Sequence, residues 1–400
     1  MTYYNFRRIV LFFSCLLLLL LAGGCTPTED QWTSSQASHT PELPEGTPWS
    51  FESVDGRIIQ TPHYRIYTTV TDALLLEKIP TFLESAYQNY LAFLPSADAD
   101  EKPLDIYLFH RRSEWESYTR QNTGALAKTY LKIRSGAYSH DSTCVVYLLE
   151  RYYTLGILAH EGFHQFSAHR LGHRIPAWME EGLACNFEAH FWKAGKPVFA
   201  PDLNEFRISA LQKSLRNDSL FPLSELLSMQ AGDAVELPPK KTATFYAQAW
   251  ALTRFLQEGQ NGKYRPAFRQ LLDDAAAGAY LADRDKATQI FESYFKDSVD
   301  TMTADFVKYA HFLVDRQLEP GMKVTVISPE PTGQTMKITA EQIEQAKPPA
   351  QEPSEEAPQT PKAVEVPAVP EVPKEFLPPQ APGENQPSEQ PPSEPDDIGQ

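Results

Sequence analysis

The chain has 400 residues and a formal net charge of −16, from 36 Lys+Arg against 52 Asp+Glu. The last fifty residues hold eleven of the acids and two of the lysines, and the remainder is still acidic. That balance argues against nucleic-acid binding and against electrostatic docking on anionic lipid, both of which need clustered Lys and Arg.

In chain order, residues 1–24 read as an export signal: Arg7 and Arg8, then an apolar run from Ile9 to Leu21. The run is short for a membrane span of about 20 residues. It ends in Leu21-Ala22-Gly23-Gly24-Cys25, which resembles a bacterial lipoprotein lipobox with Ala22 where Leu is usual. The resemblance implies cleavage after Gly24, lipid on Cys25 and attachment to a membrane of the bacterial cell envelope, on its periplasmic or outer-surface face. Residues 25–49, rich in Thr, Ser, Gln, Pro and Glu, read as a flexible tether. At the other end, residues 345–400 are a Pro/Glu-rich tail predicted to stay disordered, a spacer with protein docking as its second reading.

Residues 50–320 are expected to form the folded domain, with 321–344 as a short extension. Alternation over Val54–Val70 predicts strands around a turn at Asp55-Gly56. Apolar residues at helical spacing predict a helix over Leu74–Leu94, stopped by Pro95. Leu104–Phe109 reads as a strand, Ser113 as the cap of a helix starting at Glu114, and Gly136–Leu149 as a turn and a strand. Helices are then predicted over 154–171, 176–192, 204–215, 223–229, 244–257, 265–275, 286–295 and 301–313. Lys323-Val324-Thr325-Val326-Ile327 reads as strand, either closing the domain or hanging from it. Strands first and helices second make an α+β fold, a small N-terminal mixed sheet followed by a mostly helical half.

The chemistry concentrates in Leu158-Ala159-His160-Glu161-Gly162-Phe163-His164-Gln165. This HExxH lies inside a predicted helix, so His160 and His164 project from one face a turn apart. Neutral imidazole binds zinc at about 2.0–2.1 Å, and the intervening glutamate stands beside the metal, placed to take a proton from water there. A catalytic zinc needs a third protein ligand and an open position. A short connection leads to Pro176-Ala177-Trp178-Met179-Glu180-Glu181-Gly182-Leu183-Ala184, where Gly172 is a plausible C-cap of the first helix and Pro176 suits the first turn of a second. Packed back on the first helix, the second would aim Glu181 at the histidines.

HExxH followed by PxWxxEGxA resembles the gluzincin zinc peptidases, with the resemblance spanning about residues 60–260. Sixteen residues separate His164 from Glu181, where aminopeptidase-type gluzincins usually have eighteen, so the chain is more similar to a little-characterised bacterial group of gluzincin-like domains. The strand Pro62–Tyr67 and the helix Phe245–Leu252 fit that likeness. It implies a zincin-like fold, a Zn2+ held by His160, His164 and Glu181, Glu161 as general base, and an oxyanion donor from a later helix, for which Tyr246 is the candidate. The metzincin pattern fails, because Gly and His are required where Ser167 and Arg170 stand. His169 and His173 fall out of register, and His169 reads as a helix-surface residue.

Among the neighbours, Glu188 stands seven past Glu181 and could orient a histidine from behind. Glu180 reads as a solvated neighbour of Glu181. Trp178 and Trp250 read as core. Cys144 and Cys185 have no CxxC partner and read as a disulfide or as two buried thiols. The expected activity is hydrolysis of a peptide or protein substrate by a membrane-anchored zinc metallopeptidase. The alternatives are a catalytically silent zincin-fold lipoprotein serving as a scaffold, and hydrolysis of a non-peptide amide or ester.

Overall fold

The computed structural model describes residues 12–13, 44–94, 102–133, 136–140, 142–171, 175–279, 283–316, 318–328 and 334–347. Cys25, Gly172, His173, most of the signal and tether, and the tail beyond 347 lie outside the described residues.

Alternating side chains build the sheet. Its strands are β1 (Phe12–Phe13), β2 (Thr47–Phe51), β3 (Val54–Gln60), β4 (Tyr64–Thr68), β5 (Leu104–Phe109), β6 (Ala137–His140) and β7 (Thr143–Tyr147). They run in the order β1-β6-β7-β5-β4-β3-β2. Thus six strands of the domain are joined at one edge by the two-residue pairing of β1, which falls within the expected signal. β4, β5 and β7 are mutually parallel, and the other pairs are antiparallel. In β4 and β5 every second side chain is buried, as a face packed on helices requires.

α1 (Ala73–Tyr90) makes the crossover from β4 to β5. Asp72 caps it, accepting from the Leu75 N–H at 3.2 Å. Leu75, Leu76, Ile79, Phe82, Leu83, Ala86 and Tyr90 are all fully buried along one face. Each buried Leu, Ile and Phe among them contributes about 1.5–3 kcal/mol.

Several sequence expectations need correction here. Asp55-Gly56 is not a turn but part of β3, paired across to Ser50 and Trp49, and the turn falls at Glu52-Ser53. Ser113 caps nothing: α2 (Arg112–Asn122) starts before it, with Arg111 at the cap position. Gly136–Leu149 holds two strands, not one. The second strand of the sheet begins at Thr47, inside the stretch read as tether. A short α3 (Ala127–Tyr130) precedes β6.

The helical half follows. α4 (Arg151–Leu171) runs through the middle, with every residue from Thr154 to Ser167 buried. A helix buried all round belongs to a core rather than a surface. α5 (Ala177–Ala184) is far shorter than the predicted 176–192 helix; the chain leaves it through a single 3-10 turn, Cys185–Phe187, and enters a hairpin of β8 (His190–Lys193) and β9 (Lys196–Phe199). Then come α6 (Glu205–Arg216), α7 (Leu223–Ser228), α8 (Ala231–Glu236), α9 (Pro239–Gly262), α10 (Arg265–Ala276), α11 (Ala287–Phe295) and α12 (Val299–Asp315). A hairpin of β10 (Lys323–Val326) and β11 (Gln334–Lys337), with α13 (Ala340–Gln345), closes the domain. It is no loose appendage: Val324 and Ile338 are buried with Phe191 and Leu203, and the Tyr152 hydroxyl donates to the Ala346 carbonyl at 2.8 Å. The fold is α+β, a mixed sheet with helices followed by a mostly helical half.

Candidate metal centre

Helix α4 is fixed before it can present anything. Gln165 Nε2 donates to the carbonyls of Asp105 (2.7 Å) and Ser142 (2.6 Å), tying the helix to the sheet. Tyr90 Oη donates to the Ala159 carbonyl at 2.6 Å, and Ser139 Oγ to that of Glu161 at 3.1 Å. The carbonyls flanking His160 are therefore pinned from two sides, and the histidine faces are set by the backbone.

Helix α5 meets α9 through a glycine. A Cβ on Gly182 would sit 2.4 Å from the Ala249 carbonyl oxygen of α9, so no larger residue fits. Thr253 Oγ1 donates to the Gly182 carbonyl at 3.1 Å. That close seat aims Glu181 at α4. His160 Nε2 and His164 Nε2 are 3.1 Å apart, and Glu181 Oε2 lies 3.3 Å from the first and 3.2 Å from the second. All three side chains are buried. Ligands about 2.0–2.1 Å from a tetrahedral metal stand about 3.3–3.4 Å from one another, so this triangle fits one such ion, and the His2Glu donor set suits zinc. Among the described residues, the ion pairs of Glu181 are with these histidines, not with Lys or Arg.

Behind each imidazole stands a second carboxylate. His160 Nδ1 is 2.8 Å from Glu188 Oε1, and His164 Nδ1 is 3.7 Å from Glu180 Oε1. At 2.8 Å Glu188 can fix the His160 tautomer and leave its Nε2 for a metal, whereas Glu180, at 3.7 Å, lies beyond hydrogen-bond distance of His164. Glu188 does not reach His160 along a shared helix face, because α5 has already ended at Ala184. It arrives through the turn after α5, at Gly156 of α4, where a Cβ would approach the Glu188 carbonyl oxygen to 2.7 Å. Glu180 is buried rather than solvated. Sequence reasoning missed Arg207 and Asn204 altogether: Arg207 clamps Glu188 through Nε at 2.8 Å and through Nη2, and Asn204 Nδ2 adds a bond at 2.7 Å. No local pattern around 204–207 marks them.

The electrostatics follow from burial and these contacts. Burial alone would depress both imidazoles, but Cys185, Glu181 and Glu188 hold His160 well above its ordinary value, and Glu181 and Glu180 raise His164 to about 9. Burial would raise Glu181, yet the histidines bring it down to about 2. Glu188 is likewise held far down, by Arg207 and His160 against burial. Burial pushes Glu180 up. A cation entering the triangle thus competes with protons on the histidines.

Glu161 is fully buried and stands outside the groups of metal-ligating atoms among the described residues. Its charge adds to burial in raising the Cys144 thiol. Cys185 touches His160, and burial holds its thiol up at about 11. His160, Cys185 and Glu188 form a second group of close donors, but Glu188 there already holds the Arg207 guanidinium. Both cysteines are free. Tyr246, on α9, places its ring 6.3 Å from the His160 ring and under the Arg207 guanidinium at 5.0 Å. His169 is exposed at the end of α4, and Trp178 and Trp250 are core.

A family model described as "Protein of unknown function (DUF1570)" matches residues 154–275. That stretch takes in both histidines, Glu161, Glu180, Glu181, Glu188, Arg207 and Tyr246. No curated protein matches the chain.

Proposed function

We propose that the chain is a zinc metallopeptidase of the gluzincin type. One observation carries the reading: three buried lone-pair atoms, from His160, His164 and Glu181, stand 3.1–3.3 Å apart. In this reading those residues hold the metal, and Glu188 keeps the His160 imidazole aimed. Zinc, when bound, supplies Lewis acidity for a water and for the scissile carbonyl. Glu161 takes the proton from the attacking water and returns it to the leaving amine. Tyr246, beside His160, is the proposed oxyanion donor; such a group contributes about 3–4 kcal/mol to the transition state.

The test pairs metal content with turnover. Zinc should copurify at about one per chain, as one three-ligand site requires. Glu161→Gln should keep it while losing about 10²–10⁴-fold in hydrolysis of a peptide library, the usual share of a general base. Full activity in that variant with zinc bound would refute the mechanism. Zinc in both proteins with hydrolysis in neither would leave the scaffold reading.

The same proposal places the domain at the envelope, anchored by lipid on Cys25. No helix among the described residues is long and apolar enough to cross a membrane. Cys25→Ser should abolish lipidation and release the domain from the membrane fraction; unchanged partition would remove the anchor from the reading.

A further inference from the structure

The two imidazoles of the triangle are not backed alike. Glu180 stands 3.7 Å from His164 Nδ1, and among the described residues no arginine pairs with it. Glu188 stands 2.8 Å from His160 Nδ1 and is gripped by Arg207, itself only 5% exposed. The histidine with the close carboxylate is the one whose carboxylate has a guanidinium behind it.

Both oxygens of Glu188 are fully engaged. Oε1 meets His160 Nδ1 and Arg207 Nη2, and Oε2 accepts from Arg207 Nε at 2.8 Å and from Asn204 Nδ2 at 2.7 Å. Two bonds from one guanidinium fix the plane of a carboxylate as well as its place. The plane of the guanidinium is held in turn, because it lies over the Tyr246 ring, 5.0 Å from the centroid.

The clamp is anchored along α6. At the first turn, Asn204 Oδ1 accepts from the Arg207 N–H at 3.3 Å, while its Nδ2 also donates to the Cys185 carbonyl at 3.0 Å. Toward the other end, Ser214 Oγ lies 2.7 Å from Thr244 Oγ1 of α9. Tyr246, Arg207, Glu188 and His160 thus form one line of contacts from α9 through α6 to α4.

We propose that Arg207 is a positioning residue for the metal. By holding the Glu188 carboxylate in one plane it fixes the His160 imidazole, and so sets how tightly His160, His164 and Glu181 hold zinc. A ring held in place before the metal arrives loses no rotation on binding, and Nδ1 turned to the carboxylate leaves Nε2 for the metal. This inference rests on the metal centre of the proposed function and not on hydrolysis.

Zinc affinity of the full chain, measured by competition with a chromophoric chelator, tests it. Arg207→Lys keeps the charge but supplies neither the fork nor the plane, and should weaken zinc binding about tenfold or more. Arg207→Met combined with Glu188→Met replaces the pair on both sides by apolar residues, a change that buried pairs often tolerate in stability. The double variant should melt near the wild type and still lose zinc affinity to the same extent. Arg254→Lys is the control: that arginine is also buried, clamps Asp202 and Glu258, and should lower the Tm without moving zinc affinity. Cobalt(II) in place of zinc reads the geometry directly. Its visible bands should shift in Arg207→Lys and match the wild type in Arg254→Lys. Wild-type affinity in Arg207→Lys or in the double variant overturns the proposal, and so does an equal loss in Arg254→Lys. Those results would leave the metal centre standing; a wild type that binds neither metal overturns the centre and this proposal together.

Discussion

Two buried clusters of charge in this chain are built on opposite rules. Around Asp202, one oxygen accepts from Arg254, and the other from Arg316 Nη1 at 2.8 Å and the Thr325 N–H at 2.7 Å. Around Glu181, two imidazole nitrogens and one carboxylate oxygen stand within 3.3 Å of one another, and no guanidinium joins them among the described residues. The first acid comes with its own cations and ties α9, α12 and the closing hairpin together. The second, in the proposed reading, receives a cation from outside. Buried charge alone is thus a poor guide to function; what separates the clusters is whether the donors and acceptors already cancel. Glu188 stands between the two cases, clamped by Arg207 on one side and turned to His160 on the other.

The comparison breaks most sharply at the triangle. His164→Ala should lose the bound metal altogether, because two remaining ligands cannot hold the geometry. Added zinc should then raise the Tm of the wild type and leave that of the variant unmoved, as expected for a ligand that binds only the native site. Elemental analysis and a thermal melt read both outcomes.

Asp202→Asn should do the reverse. It takes one of the two carboxylates from the buried Arg254 and the carboxylate from the half-buried Arg316, a loss of about 3 kcal/mol in a denaturant titration, while zinc content stays at the wild-type value. Burial alone would raise Asp202, but Arg254 and Arg316 hold it below the ordinary carboxylate range. A depressed carboxylate stabilises above its unfolded pKa, so this contribution is lost as pH falls below about 4. The variant should lack that part of the acid transition. If zinc leaves along with stability, the clusters are not independent.

A smaller change sharpens the border. Glu188→Gln keeps the size of the side chain but not the charge that holds His160, and should weaken zinc binding by about 10–100-fold without emptying the site at saturating metal. An Asp202-like loss of stability with unchanged affinity would instead make Glu188 part of the ion network only.

The local sequence determined much of this protein. Apolar spacing marked α1, α4 and most later helices, because one buried face imposes its period directly on the chain. Spacing of four put His160 and His164 on one face, and Glu181 was legible from its motif. What no local signal carried is where α5 stops. The residues after Ala184 remain apolar and helix-compatible, yet the chain turns into β8, because Phe191 and Ala200 are needed under the closing hairpin rather than on a longer helix. That turn, and the close seat at Gly156, bring Glu188 to His160 and Arg207 to Glu188. Glu180 gives the same lesson, reading as a surface acid beside Glu181 until α4 and α5 pack and bury it against His164. The two histidines of the triangle lie one helical turn apart, and the glutamate follows in the next helix within a legible motif, so all three are written in the sequence. The groups that orient them come from separate elements, so tertiary packing alone decides which of them meet.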